Sequence, residues 1–328
     1  MAPASAGRRS RWLLGSLIGV VALVGAACGS DDGNGDGDGD GGETAAGLDG
    51  RGYADGHRLV SGDWLEENLE SDDLVIVDLR DAEDFVAGHI PGARQIPEDL
   101  SLSRTDENGV SGQIATQEDT AAVLGALGVS PDSTVVLYDG RSSLQSARSL
   151  WVFDVYGHGE TRILDGSWTL WESEGRPTSS EVATFETTDY VFNSEPNSGI
   201  IANFEEMAAA ISDPEALICD ARSAEEFAGR DIRADQGGHV PGAGNVEWTQ
   251  AVNDESQFKT AEELRTLYEG QVLTGDDDKT IYVYCQTGVR AAHTWFVFHD
   301  LLGLDSVKNY DGSWVEYGNR TDSDIERS

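Results

Sequence analysis

Short apolar runs punctuate the chain. Leu74-Val75-Ile76-Val77 and Val135-Val136-Leu137-Tyr138 lie in one half, Leu217-Ile218-Cys219 and Ile281-Tyr282-Val283-Tyr284 in the other. None is interrupted by a polar residue, which predicts strands buried on both faces. Between them, Thr116 to Leu127 and Ala261 to Tyr268 carry helical patterns. Continuous apolar strands spaced by helices predict α/β domains, each a mostly parallel sheet flanked by helices.

The two halves are one unit written twice. Residues 73–97 contain Asp78-Leu79-Arg80, Phe85 and Gly88-His89-Ile90-Pro91-Gly92-Ala93. Residues 215–246 repeat this as Asp220-Ala221-Arg222, Phe227 and Gly238-His239-Val240-Pro241-Gly242-Ala243. Gly166-Ser167-Trp168 recurs as Gly312-Ser313-Trp314, 146 residues later. A period this long marks duplicated domains rather than a solenoid, and 328 residues accommodate two.

One further apolar stretch, Trp12 to Ala27, is uncharged over 16 residues and follows Arg8, Arg9 and Arg11. It is short for a membrane span and suits a signal-peptide core. It ends Gly25-Ala26-Ala27-Cys28, which resembles a bacterial or archaeal lipoprotein cleavage site, with Gly25 in place of the preferred Leu. Cys28 is therefore expected to carry lipid, placing the protein outside the cytoplasm on the cell membrane. Arg8-Arg9 leaves both the general and the twin-arginine export routes open. The Asp-Gly run after Cys28 has no aromatic residue and reads as a self-repelling flexible tether. It lacks the loop and terminal bidentate Glu of a calcium site.

Acids outnumber bases 60 to 22, for a net charge of -38. Loss of residues 1–27 removes three arginines and no acid, leaving -41. Such a surface excludes nucleic acid and confines membrane contact to the lipid anchor. Three cysteines cannot form a disulfide framework, and no two share a metal-site spacing such as Cys-x-x-Cys.

Asp-x-Arg-x-x-x-x-Phe, Gly-His-Ile/Val-Pro-Gly-Ala, a strand ending in Cys before a helix, and Tyr310-Asp311-Gly312-Ser313-Trp314 together resemble the rhodanese superfamily. The resemblance covers about residues 53–320 and is nearest the tandem thiosulfate and 3-mercaptopyruvate sulfurtransferases. The leader residues give a signal peptide over 1–27 and lipidated Cys28 with its tether over 28–52, and the resemblance implies an inactive domain over 53–177. A linker over 178–198, a catalytic domain over 199–320 and a tail over 321–328 complete the division. It further implies a monomer without cofactor or metal. The partners are a small-molecule sulfur donor and a thiophilic acceptor, cyanide or a thiol.

The chemistry is expected at Cys285, in the loop Cys285-Gln286-Thr287-Gly288-Val289-Arg290. Amides at the start of the following amphipathic helix, and Arg290, favour a thiolate and would stabilise a persulfide anion. Gly288 lets the loop turn. Cys219, inside a strand, reads as a small buried hydrophobe. In the first half Asp139 stands where Cys285 stands in the second. A carboxylate is no sulfur nucleophile, so that copy is expected to be silent.

Other residues follow from the resemblance alone. In the mercaptopyruvate branch an Asp, the His of His-Ile-Pro-Gly and a loop hydroxyl are proposed as a triad, here Asp78, His89 and Thr287. The alternative is that Asp78 and His89 shape their own loop, as recurrence of Asp220 and His239 suggests. Arg230 and Arg233 fall roughly where family members bind substrate, while Glu226 stands where Arg is frequent. The loop leaves three readings open: a sulfurtransferase, a Cys-dependent phosphatase and a non-catalytic surface binding protein. Phosphatases place five residues between Cys and Arg, whereas Gln286 to Val289 make four. Arg290 and the helix start suit a dianion with an anionic leaving group, so thiosulfate is the expected donor and 3-mercaptopyruvate the alternative.

Overall fold

The computed structural model describes residue 48 and residues 50–275 and 278–327. The expected leader, Cys28 and most of the tether lie outside the described residues. No helix among the described residues is long and apolar enough to cross a membrane.

The first copy runs β1 (Leu59–Val60), α1 (Gly62–Asn68), β2 (Leu74–Asp78), α2 (Ala82–Ala87), β3 (Ser103–Arg104), β4 (Gln113–Ile114), α3 (Gln117–Ala126), β5 (Thr134–Tyr138), α4 (Leu144–Tyr156), β6 (Thr161–Leu164) and α5 (Ser167–Ser173). The second runs β7 (Ile201–Ala202), α6 (Phe204–Ala210), β8 (Ala216–Asp220), α7 (Ala224–Phe227), β9 (Gly244–Asn245), α8 (Ala261–Tyr268), β10 (Thr280–Tyr284), α9 (Val289–Phe296), β11 (Val307–Tyr310) and α10 (Ser313–Tyr317). The two main sheets have orders β1-β6-β5-β2 and β7-β11-β10-β8-β9, and all their pairs are parallel. Asp78 pairs with Tyr138 and Asp220 with Tyr284, so both copies share one register. Every apolar run read as a strand is one. Local chemistry sets the helix starts: Thr116 accepts the Asp119 amide, and Thr260 with Glu263 forms a reciprocal capping box.

Each Asp-x-Arg motif staples its strand end to its Gly-His loop. Arg80 pairs with Asp78 and donates to the Gly88 carbonyl at 2.7 Å, and Arg222 pairs with Asp220 and donates to the Gly238 carbonyl at 2.8 Å. Phe85 stacks on His89 at 3.8 Å and Phe227 on His239 at 3.6 Å. The recurrent motif residues are thus joined to one another.

Between the sheets, α4 packs against α9, and one apolar cluster runs through both copies, with Trp151 and Trp295 fully buried. The helix after Cys285, expected to be amphipathic, is buried from Ala291 to Phe296, because the sheet covers one side and α4 another. The expected linker is also laid against structure. Ser179 exchanges two backbone hydrogen bonds with His89, and the Thr188 amide donates to Gly125. Glu326 repeats the exchange with His239 in the second copy, so linker and tail are equivalent straps. The β3–β4 hairpin, which the first copy extends towards the second, carries no apolar signature that predicts it.

Candidate active site

Cys285 follows the last residue of β10, and its side chain is fully buried. The loop that carries it is held from below by the turn after β11. Ser313 Oγ accepts the amides of Cys285 at 3.1 Å and Gly288 at 3.0 Å and donates to the Tyr310 carbonyl at 2.8 Å. The Trp314 and Val315 amides donate to the carbonyls of Cys285 and Gln286. Gly288 has φ +76°, and a Cβ there would come within 2.6 Å of Asp311 Oδ1. Only glycine meets both the conformation and the space. Among the described residues the amides of Thr287, Val289 and Arg290, at the mouth of α9, have no carbonyl or carboxylate acceptor.

The first copy shows what such a loop binds. The Asp139 amide donates to Ser167 Oγ and the Trp168 amide to the Asp139 carbonyl, the same bonds that Ser313 and Trp314 make to Cys285. Asp139 is therefore the structural counterpart of Cys285. Its carboxylate accepts amides from Arg141 at 2.7 Å, Ser143 at 3.1 Å, Gln145 at 2.8 Å and Ser146 at 2.9 Å. Ser142 and Ser143 take positive φ to aim this ring of donors inward. In the silent copy a carboxylate side chain fills the cradle at the helix start.

Arg290 is near Cys285 but is not a free cation. It makes a bidentate pair with Glu226, at 2.7 and 2.9 Å, and the Glu226 side chain is 1% exposed. Burial works against the charged Arg290, but the Glu226 hydrogen bond and the charges of Cys285 and Glu226 outweigh it, raising its pKa. Burial also opposes ionisation of Glu226, yet the Arg290 pair overrides it and lowers its pKa to about 2. Ser223 completes the lock by donating to Glu226 Oε2 through its amide and hydroxyl. Arg233 stands over this pair, half exposed, with Nη1 3.6 Å from Glu226. Gln286 donates to the Arg233 carbonyl at 3.1 Å.

The remaining expected residues are bonded to partners of their own. Arg230 is a surface residue rather than a cleft residue: it is 58% exposed and paired with Glu225. Gly229 turns the chain outward just before it, with φ +72°. Asp78 spends its oxygens on Arg80 and on the Tyr138 hydroxyl at 2.6 Å. Both His89 ring nitrogens face carbonyls, of Phe85 at 2.8 Å and Glu181 at 3.1 Å. Among the described residues no hydrogen bond joins Asp78, His89 and Thr287. These two residues hold their own loop, as their twins do. Cys219 lies in β8, where burial and then the Asp220 charge push its thiol well up.

Sequence reasoning missed Asp311, Ser313 and Arg148. Recurrence of Gly-Ser-Trp pointed to Ser313, and Asp311 stood beside it in the family pattern Tyr310 to Trp314. Arg148 gave no such signal, because its counterpart in the second copy is a different residue. A cavity of about 320 Å³ opens where the copies meet, lined by Leu79, Pro97, Leu102, Gly112 and Arg148 from the first copy and Val289 from the second.

Comparison with known proteins accords with this geometry. The model of the rhodanese-like domain matches residues 61–174 and 203–320. A protein of Saccharopolyspora erythraea, provisionally named a thiosulfate sulfurtransferase, is 38% identical over 277 residues, covering 82% of this chain and 95% of its own. The sulfur carrier protein TtuD of Thermus thermophilus is 36% identical over 279 residues, covering 82% and 96%. Among solved structures, the 3-mercaptopyruvate sulfotransferase SseA of Escherichia coli superposes with a TM-score of 0.68 at 29% identity, over 78% of this chain and 98% of that one.

Proposed function

The chain belongs to the rhodanese family, as a tandem of two rhodanese-like domains with sulfurtransferase relatives, and on that footing we propose that it transfers sulfane sulfur from thiosulfate through Cys285. The observation that carries the reading is the pair of equivalent loops. One holds a carboxylate in a ring of amides, and the other holds a thiol at the same place. A loop built to surround an anion suits a thiolate and the persulfide it becomes.

The Cys285 thiolate attacks the outer sulfur of thiosulfate. A new S–S bond forms, the old one breaks, and sulfite leaves with the electron pair. A thiophile such as cyanide then attacks the outer persulfide sulfur, and the Cys285 thiolate leaves. Electrons balance in both steps without an external oxidant. Arg233, half exposed beside the Arg290–Glu226 pair and itself bound to Asp231 at 2.6 Å, is the surface cation an incoming dianion would meet at this edge of the loop. Asp78 and His89, each bonded to other partners, weigh against a mercaptopyruvate-type triad with Thr287. We further propose that lipid on Cys28 holds the protein outside the cytoplasm. Release of a Cys28→Ala variant into the medium, or its retention as precursor, tests that placement.

Replacement of Cys285 by Ser tests the assignment. Transfer from thiosulfate to cyanide should vanish, together with a mass adduct of about 32 Da, one sulfur on the thiol. Normal turnover in a folded Cys285→Ser protein would overturn it. Phosphate release by the wild type would favour phosphatase chemistry instead.

A further inference from the structure

We propose that Arg148, carried by the silent copy, is a positioning residue for the catalytic loop of the other copy, acting by neutralising Asp311. The proposal rests on the reading of Cys285 as nucleophile.

Arg148 lies on α4 and its side chain is 5% exposed. Its Nη1 donates to Asp311 Oδ1 at 2.6 Å, and its Nη2 donates to the Gly112 carbonyl at 3.0 Å. Asp311 uses its other oxygen to accept the Ile114 amide, at 2.6 Å. One buried ion pair thus ties together the first copy's helix, the end of its β3–β4 hairpin and the turn beneath Cys285. That turn carries Ser313, whose hydroxyl holds the Cys285 and Gly288 amides. The pair also presses on the loop itself. A Cβ on Gly288 would lie 2.6 Å from Asp311 Oδ1 and 3.2 Å from Arg148 Nη1, and one on Gly112 would lie 3.0 Å from Thr287 Cβ.

The duplication supplies an internal control. Asp165 is the counterpart of Asp311, and it too accepts an amide from across the interface, that of Phe258 at 2.9 Å. The fifth residue of α9, matching Arg148 as fifth of α4, is His293. It is fully buried against Trp248 and Phe258, and burial lowers its pKa to about 3. A neutral imidazole cannot stand in for a guanidinium, and among the described residues the cation paired with the silent loop's Asp165 is Arg51, at 3.4 Å. The symmetry is therefore broken in one direction. The loop that must gather negative charge receives a buried cation from its partner copy, and the loop built around Asp139 does not.

Without Arg148, Asp311 would leave an uncompensated buried negative charge against the loop that must accept a dianion. The test is alkylation of Cys285 in the full chain by anionic iodoacetate and by neutral iodoacetamide, followed at the Cys285 peptide. The ratio of the two rates cancels the fraction of thiolate and reads the local potential. Arg148→Met should lower the iodoacetate-to-iodoacetamide ratio about fivefold or more and kcat/KM for thiosulfate at least tenfold. Arg148→Lys should retain most of the ratio. Arg148→Met combined with Asp311→Asn, which removes both charges and keeps an acceptor for Ile114, should return the ratio to within about twofold of wild type. Asp165→Asn, at the mirror position, should leave it unchanged. A wild-type ratio in Arg148→Met overturns the proposal, as does a double variant as depressed as the single. If Arg148→Met does not fold, the Lys and double variants carry the test. Failure of Cys285→Ser to abolish transfer would instead strike the assignment of the nucleophile, which the alkylation ratio does not touch.

Discussion

At the level of single residues, the site depends on who neutralises whom. Sequence reading found Cys285, its silent counterpart Asp139 and the cation Arg290. It could not find that Arg290 is already engaged, because its partner Glu226 lies 64 positions away on another helix. Pairing changes what Arg290 does: it orders the loop mouth more than it attracts substrate. Glu226→Gln should release part of that charge and lower KM for thiosulfate several-fold, as initial-rate kinetics would show. The same variant has a stability signature. The folded Glu226 pKa lies below its ordinary value, so the ion pair stabilises the protein above about pH 4.5 and that contribution is lost as pH falls towards 2. The gap between wild type and Glu226→Gln in denaturant midpoint should therefore be full at pH 6 and close on acidification. A gap that does not change with pH would contradict the pairing. Arg290→Ala should cost about 2–3 kcal/mol in kcat/KM, since it also strands a buried carboxylate.

At the level of elements, the strands were legible because a buried parallel strand writes itself as an unbroken apolar run. The helices with Thr at their start were legible for the same local reason. The β3–β4 hairpin was not, since its end is held by polar bonds, Gln113 and Ile114 to Asp311 in the other copy and Gly112 to Arg148 in its own, rather than by apolar periodicity. The strap over 178–198 was read as a linker because its bonds to His89, Gly125 and Val155 are made by backbone, which composition does not reveal. The silent loop yields a prediction at this scale. Asp139 gathers four amides and the Ser146 hydroxyl, and holds two serines at positive φ. Asp139→Ala leaves those donors buried without acceptors, which should lower stability by about 2–4 kcal/mol. No covalent step passes through Asp139, so the persulfide on Cys285 should still form and turnover should stay within a few-fold. A melting curve and intact-mass analysis on one preparation separate the two effects. A stable protein that no longer forms the adduct would reverse the assignment of roles.

At the level of the whole molecule, the copies share a core and an interface of buried charge, so neither is a free-standing unit. Residues 199–328 alone would expose the α9 face that α4 covers, including surface around fully buried Trp295; such a fragment should aggregate or lose most activity. Asp165 makes the same interface sensitive to pH in a direction that can be worked out. Burial pushes its carboxyl up to about 6, against the pull of the Phe258 amide and Arg51. The folded protein thus holds this proton more tightly than the unfolded chain, whose Asp titrates near pH 4. Stability from this group is greatest below about pH 4 and declines as pH rises to about 6, beyond which the loss is complete. A shift of about two units corresponds to roughly 3 kcal/mol. Asp165→Asn keeps an acceptor for the Phe258 amide and has nothing to titrate. Relative to wild type it should gain stability progressively between pH 4 and pH 6.5 and hold that gain at pH 7. Urea unfolding of both proteins across that range decides the matter: parallel curves would mean that Asp165 is ionised at no cost, and that the interface accommodates its charge as readily as water does.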